Sequence, residues 1–136
     1  MKRTLPILTF VLLTFLMVTP IVSADLQKGF AAYKSGDYAA ALREWEPLAQ
    51  QGNVVAETFL GMMYANGQGV LQDYKLAAMW YQKAAQQGDA WAQYNLGNFY
   101  AEGQGVLQDY KIAVKWYRKA AEQGDAMAQY NLGVMY

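Results

Sequence analysis

GQGVLQDYK at residues 67–75 returns letter for letter as GQGVLQDYK at residues 103–111, a shift of 36 residues. Around this loop the pattern of residues 53–88 recurs over 89–124, so that Leu60, Gly61 and Tyr64 fall on Leu96, Gly97 and Tyr100. The opening of the same pattern returns at 125–136. A period of ~20–50 residues marks stacked supersecondary units, each too small to bury its own apolar face. Function is then to be sought on a surface built by stacking.

Apolar and small residues inside each unit follow helical steps of three and four, as in Ala92, Leu96, Gly97 and Tyr100, then Ala113, Trp116, Tyr117, Ala120 and Ala121. Each full unit therefore contains two helices. Asn53, Asp89 and Asp125 stand where a side chain can cap the first helix, and Asp73 and Asp109 where one can cap the second. Gly52, Gly88 and Gly124 precede the first-helix caps and suit the left-handed conformation that closes the preceding helix. Gly61, Gly97 and Gly133 lie inside helices, where glycine costs ~1 kcal/mol relative to alanine. A close crossing of the paired helix is the expected compensation, with Ala84, Ala85, Ala120 and Ala121 offering the matching shallow surface. The expected fold is an all-α superhelical solenoid of antiparallel helix hairpins.

Residues 25–52 form a shorter version of the unit: Asp37, Tyr38, Ala41 and Gly52 align with Asp73, Tyr74, Ala77 and Gly88, but only Ser35 and Gly36 join its helices. This hairpin is expected to cap the array. The division predicted is 25–52 as an N-terminal hairpin, 53–88 and 89–124 as full repeats, and 125–136 as a partial repeat holding a first helix only. A terminal capping helix is the alternative for 125–136, although a cap should turn a polar face outward and this segment keeps the internal pattern. A truncated or incomplete array is the expectation.

The first 24 residues belong to another regime. Lys2 and Arg3 precede an apolar run from Leu5 to Val18, and Val22, Ser23 and Ala24 place small residues where a signal peptidase reads them. A cleaved secretory signal over 1–24, cut after Ala24, is expected. The competing reading, a retained anchor, needs ~20 apolar residues, more than this run supplies. Export implies a periplasmic or secreted protein. The chain has 11 Lys and Arg against 11 Asp and Glu. Loss of Lys2 and Arg3 with the leader tips the balance to the acidic side and gives no basic patch of the kind a nucleic-acid binder shows. Neither nucleic acid nor, after cleavage, a membrane is an expected partner. With no Cys, packing rather than disulfides must hold the fold.

The parts for catalysis are scarce. His and Cys are absent, and past the leader Ser35 and Thr58 are the only hydroxyls apart from tyrosines, so neither an imidazole-activated nucleophile nor an imidazole or thiolate zinc site can be built. Glu44 and Glu46, two apart on a helix, point away from each other, and the two-glycine loops lack the lysine and context of a phosphate cradle. No catalytic site, no metal and no cofactor are expected.

AQYNLGNFY at 92–100, GQGVLQDY at 103–110 and KWYRKAAEQGD at 115–125 give residues 53–136 a close resemblance to the Sel-one-like repeat family, a relative of the tetratricopeptide repeat. The resemblance implies a right-handed superhelix that scaffolds protein complexes, with bacterial members often exported and bound to proteins or peptides. The cysteine-rich branch associated with β-lactam binding or hydrolysis supplies the rival, enzymatic reading, and the lack of any Cys makes it a poor match. By analogy with the tetratricopeptide geometry, first helices line a concave side. The candidate groove residues are then Val55, Thr58 and Met62, followed by Trp91, Tyr94 and Asn98, and by Met127, Tyr130 and Val134. Aromatic and Met side chains suit interface hot spots and adaptable grooves. The alternative is that Trp91, Tyr94 and Tyr130 pack between neighbouring helices. Trp80, Tyr81, Trp116 and Tyr117 are expected to pack in that way, and Lys83, Lys115, Arg118 and Lys119 to form a solvated face. A protein or peptide partner held in the groove is the leading expectation, and a spacer without groove contacts is the third possibility.

Overall fold

Residues 24–135 are described by the structure, a computed structural model. The expected leader, apart from Ala24, lies outside them. Seven helices and no strand make up the described residues: α1 (24–34), α2 (Tyr38–Gln50), α3 (Val54–Asn66), α4 (Tyr74–Gln86), α5 (Ala90–Glu102), α6 (Tyr110–Glu122) and α7 (Ala126–Met135). They form an all-α helical repeat superhelix. From α2 onward each helix packs against its successor, and α3 also touches α5.

The helix starts follow the caps read from the sequence. The Asn53 side chain accepts from the Ala56 amide at 3.0 Å, and Asp89 and Asp125 accept from Ala92 and Ala128 at 2.8 Å. Asp73 and Asp109 accept from Leu76 and Ile112 at 3.1 Å. Each such bond satisfies one of the donors left open at a helix start and contributes about 1 kcal/mol. Gly52, Gly88 and Gly124 all adopt positive φ.

Stacking is tightened where backbone meets backbone. A Cβ on Gly69 would lie 2.9 Å from the Tyr38 carbonyl carbon, and one on Gly105 would run into the Tyr74 carbonyl. The second glycine of each loop thus rests on the start of the preceding unit's second helix. Two glutamines cross the same boundary. Gln87 Nε2 donates to the Gly52 carbonyl at 3.1 Å, and Gln123 Nε2 to the Gly88 carbonyl at 2.8 Å.

The helical glycines are in close crossings, but the matching surface is not the expected alanines. A Cβ on Gly61 would approach the Tyr81 ring to 2.7 Å, and one on Gly97 would approach the Tyr117 ring equally closely. Large flat rings seated on glycine bury more apolar area than alanine could, which offsets the helix penalty. Gly133 differs, having nothing within 4 Å of its Cβ position. The first hairpin has a clasp of the same kind that the 36-residue alignment hides. Gly29 sits under the Trp45 ring, and its two-residue turn shifts α1 to an offset of 32 from Gly61. Trp45 is fully buried, with Phe30, Tyr33 and Phe59 around it at ring separations of 4.7–5.8 Å. Its indole N–H donates to the Leu26 carbonyl. Trp80 is buried as expected, whereas Trp116 is only partly buried, with Lys119 Nζ 4.9 Å above its ring.

Candidate binding groove

The contact between α3 and α5 leaves a cleft of about 410 Å³ lined by Val55, Thr58, Phe59, Met62, Asp89 and Trp91. Val55, Phe59 and Met62 share one face of α3 because they are four and three residues apart. Trp91, in the first turn of α5, closes the far side, 48% exposed, with its ring 5.8 Å from that of Tyr94. The polar floor is pinned: the Asp89 carboxylate caps α5 and accepts from the Thr58 hydroxyl at 3.2 Å.

A second cleft of about 350 Å³ adjoins the first, with Met62 and Trp91 as common wall. Its lining is polar, including Asn66, Asn95, Asn98, Glu102 and Gln104. Asn98 Oδ1 accepts from the Tyr117 hydroxyl at 2.5 Å and from Asn131 Nδ2 at 3.2 Å, so α5, α6 and α7 hold that amide in one orientation. Burial pushes the Tyr117 hydroxyl above its ordinary pKa. At neutral pH the phenol therefore stays a donor.

Of the nine candidate groove residues, Val55, Thr58, Met62 and Trp91 come together in the first cleft and Asn98 in the second. Tyr94 is partly buried and stacks toward Tyr117, with ring centres 6.1 Å apart, as its packing alternative anticipates. Met127, Tyr130 and Val134 are exposed on α7 and line neither cleft. Sequence reasoning missed Phe59, Asn95 and Glu102. Phe59 lies four residues after Val55 and was open to the same helical-face reading.

Charge is segregated by layer. From residue 53 onward every Lys and Arg lies on α4 or α6, and α3, α5 and α7 carry none. The first-helix layer instead holds Glu57 and Glu102, with Asp89 and Asp125 as caps. Glu57 is buried, which raises its pKa, against the opposing pull of the Gln87 amide and the Lys83 charge. Gln87 Nε2 donates to Glu57 Oε2 at 2.7 Å. No group of three or more His, Cys, Asp or Glu able to hold a metal ion occurs among the described residues. Among the same residues no helix is long and apolar enough to cross a membrane.

The Sel1 repeat model matches residues 54–89, 92–125 and 126–136, three times in phase with α3–α4, α5–α6 and α7. The chain belongs to the Sel1 repeat family. That family typically supplies protein-interaction scaffolds. A Sel1 repeat protein from Oxalobacter formigenes is 40% identical, with a TM-score of 0.77 over 80% of this chain and 45% of its own. A protective antigen of uropathogenic Escherichia coli strains with an SLR fold is 44% identical, with a TM-score of 0.78 over 82% of this chain and 25% of its own. The Sel1 repeat chain thus spans less than half the length of either. Helicobacter pylori cysteine rich protein B shares the fold at 24% identity, with a TM-score of 0.66 over 82% of this chain and 95% of its own. A search of curated proteins gave no match.

Proposed function

We propose that this Sel1 repeat protein is an exported, non-enzymatic interaction module that holds a peptide segment of a partner protein in the cleft between α3 and α5. The observation that carries the reading is Trp91, half exposed and closing a largely apolar cleft opposite Val55, Phe59 and Met62. An aromatic kept partly in water beside an open apolar pocket is the composition of an interface anchor. Export rests on Lys2, Arg3, the apolar run from Leu5 and the small residues before Asp25.

A displayed library of random peptides, panned in parallel on the wild-type chain and on Trp91→Ala, tests the groove. Sequences retained by the first and lost from the second are expected, with helical content unchanged. Enrichment identical on both proteins would remove the cleft from consideration. The N-terminal sequence of protein recovered from the cell envelope is expected to begin at Asp25. A chromogenic β-lactam incubated with the chain is expected to stay intact, and turnover would overturn the non-enzymatic reading.

A further inference from the structure

We propose that the groove selects a cationic segment, one that sets a large apolar side chain among Val55, Phe59, Met62 and Trp91 and a neighbouring lysine or arginine beside Glu102. This rests on the peptide-groove reading above and specifies its ligand. Continuity is the first support: Met62 and Trp91 border both clefts, so an extended chain that fills the apolar one passes directly into the polar one.

Charge is the second support. Among the described residues, the carboxylates lining the two clefts are Asp89 in one and Glu102 in the other, and no lysine or arginine lines either. α3, α5 and α7 lack cations altogether, so an acidic segment or a free carboxyl terminus would meet Asp89 and Glu102 with no lysine or arginine in either lining. The polar cleft also lies where α3 ends at Asn66 and α5 at Glu102, so the negative ends of two helix dipoles add to the Glu102 charge. Glu102 is exposed, so a basic side chain reaches it without a large desolvation cost. The amides of Asn95, Asn98 and Gln104 supply donors and acceptors of the kind a peptide backbone needs.

The test uses three pools of short fluorescein-labelled synthetic peptides, each with Leu, Phe or Trp as anchor and differing only downstream, where one pool carries Lys or Arg, one Ser and one Glu or Asp. Fluorescence anisotropy against the purified chain is expected to rank them cationic, neutral, acidic. Glu102→Gln should weaken the cationic pool by about 2- to 5-fold, the scale of an exposed ion pair, and leave the neutral pool unchanged. Added salt should narrow the same gap. Equal affinity for all three pools, abolished by Trp91→Ala, would overturn the cationic preference while leaving the groove intact. A preference for the acidic pool, or a cationic preference indifferent to Glu102→Gln, would overturn it as well. Failure of every pool to bind would remove the groove itself.

Discussion

The α3–α4 and α5–α6 hairpins share an identical loop, and their second helices hold Tyr74 and Tyr110, Trp80 and Trp116, Tyr81 and Tyr117 at the same places. Their first helices diverge. Val55 gives way to Trp91, Thr58 to Tyr94, Phe59 to Asn95 and Met62 to Asn98, while Ala56, Leu60 and Gly61 persist as Ala92, Leu96 and Gly97. These three persistent pairs are fully or nearly fully buried against neighbouring helices, and all four of the altered pairs just named have a member in the lining of the clefts. Stacking thus constrains one set of positions and leaves the other to set what each unit presents. Core changes are not excluded by this rule, since Met63 and Phe99 are both buried at equivalent sites.

The largest expected effect lies at the helical glycines. Gly97→Leu forces a side chain into the Tyr117 ring and is expected to lower stability by about 1–3 kcal/mol. Gly133→Leu, at the equivalent position with open space around it, is expected to gain up to about 1 kcal/mol through helix propensity. Thermal melts of the two variants check both signs. Equal destabilisation would mean that the contact with the Tyr117 ring is not what sets the cost at Gly97.

How much of this was legible depends on where the information lay. Period, caps and helix pairing are local and repeated, so Asp73, Asp89 and their equivalents could be placed from spacing alone. The partner of Gly97 was not, because two candidates on α6, Tyr117 and the Ala120–Ala121 pair, lie about one turn apart and only the crossing geometry chooses between them. Gly29 escaped notice for a different reason: the short turn at Ser35 and Gly36 moves α1 out of the register that the longer loops set. The groove was half legible. The analogy with tetratricopeptide geometry brought Val55, Met62 and Trp91 together, but it could not say that Met127 and Tyr130, at the same positions on α7, line neither of the two clefts.

A subtler difference between the hairpins is Glu57 against Gln93. Gln123 Nε2 donates to Gln93 Oε1 at 2.9 Å, as Gln87 does to Glu57, and Gln93 Nε2 also donates to the Ala85 carbonyl at 3.1 Å, a bond that a carboxylate cannot make. Burial raises the Glu57 pKa above its ordinary 4.5, so the folded chain holds this proton more tightly than the unfolded one. The stabilisation this gives is complete below 4.5 and is lost as pH rises through the folded value. Glu57→Gln should therefore stabilise the chain at pH 7 and flatten its stability profile above 4.5. Denaturant melts across that range read both effects. An unaltered profile would show that another group sets it.

The smallest effect belongs to a pair the two hairpins share. Leu71 and Leu107 sit at the same loop position and are each 91% exposed, so neither contributes to stacking. The double variant Leu71→Ser with Leu107→Ser is expected to change stability by less than about 0.5 kcal/mol per site. Its value lies in what it does to binding. If divergence between first helices sets recognition, peptides that depend on Trp91 should bind the double variant as they bind the wild type. Loss of their affinity would move the docking surface from the divergent helices to the invariant loop edge, and the layer that varies between units would no longer be the layer that recognises.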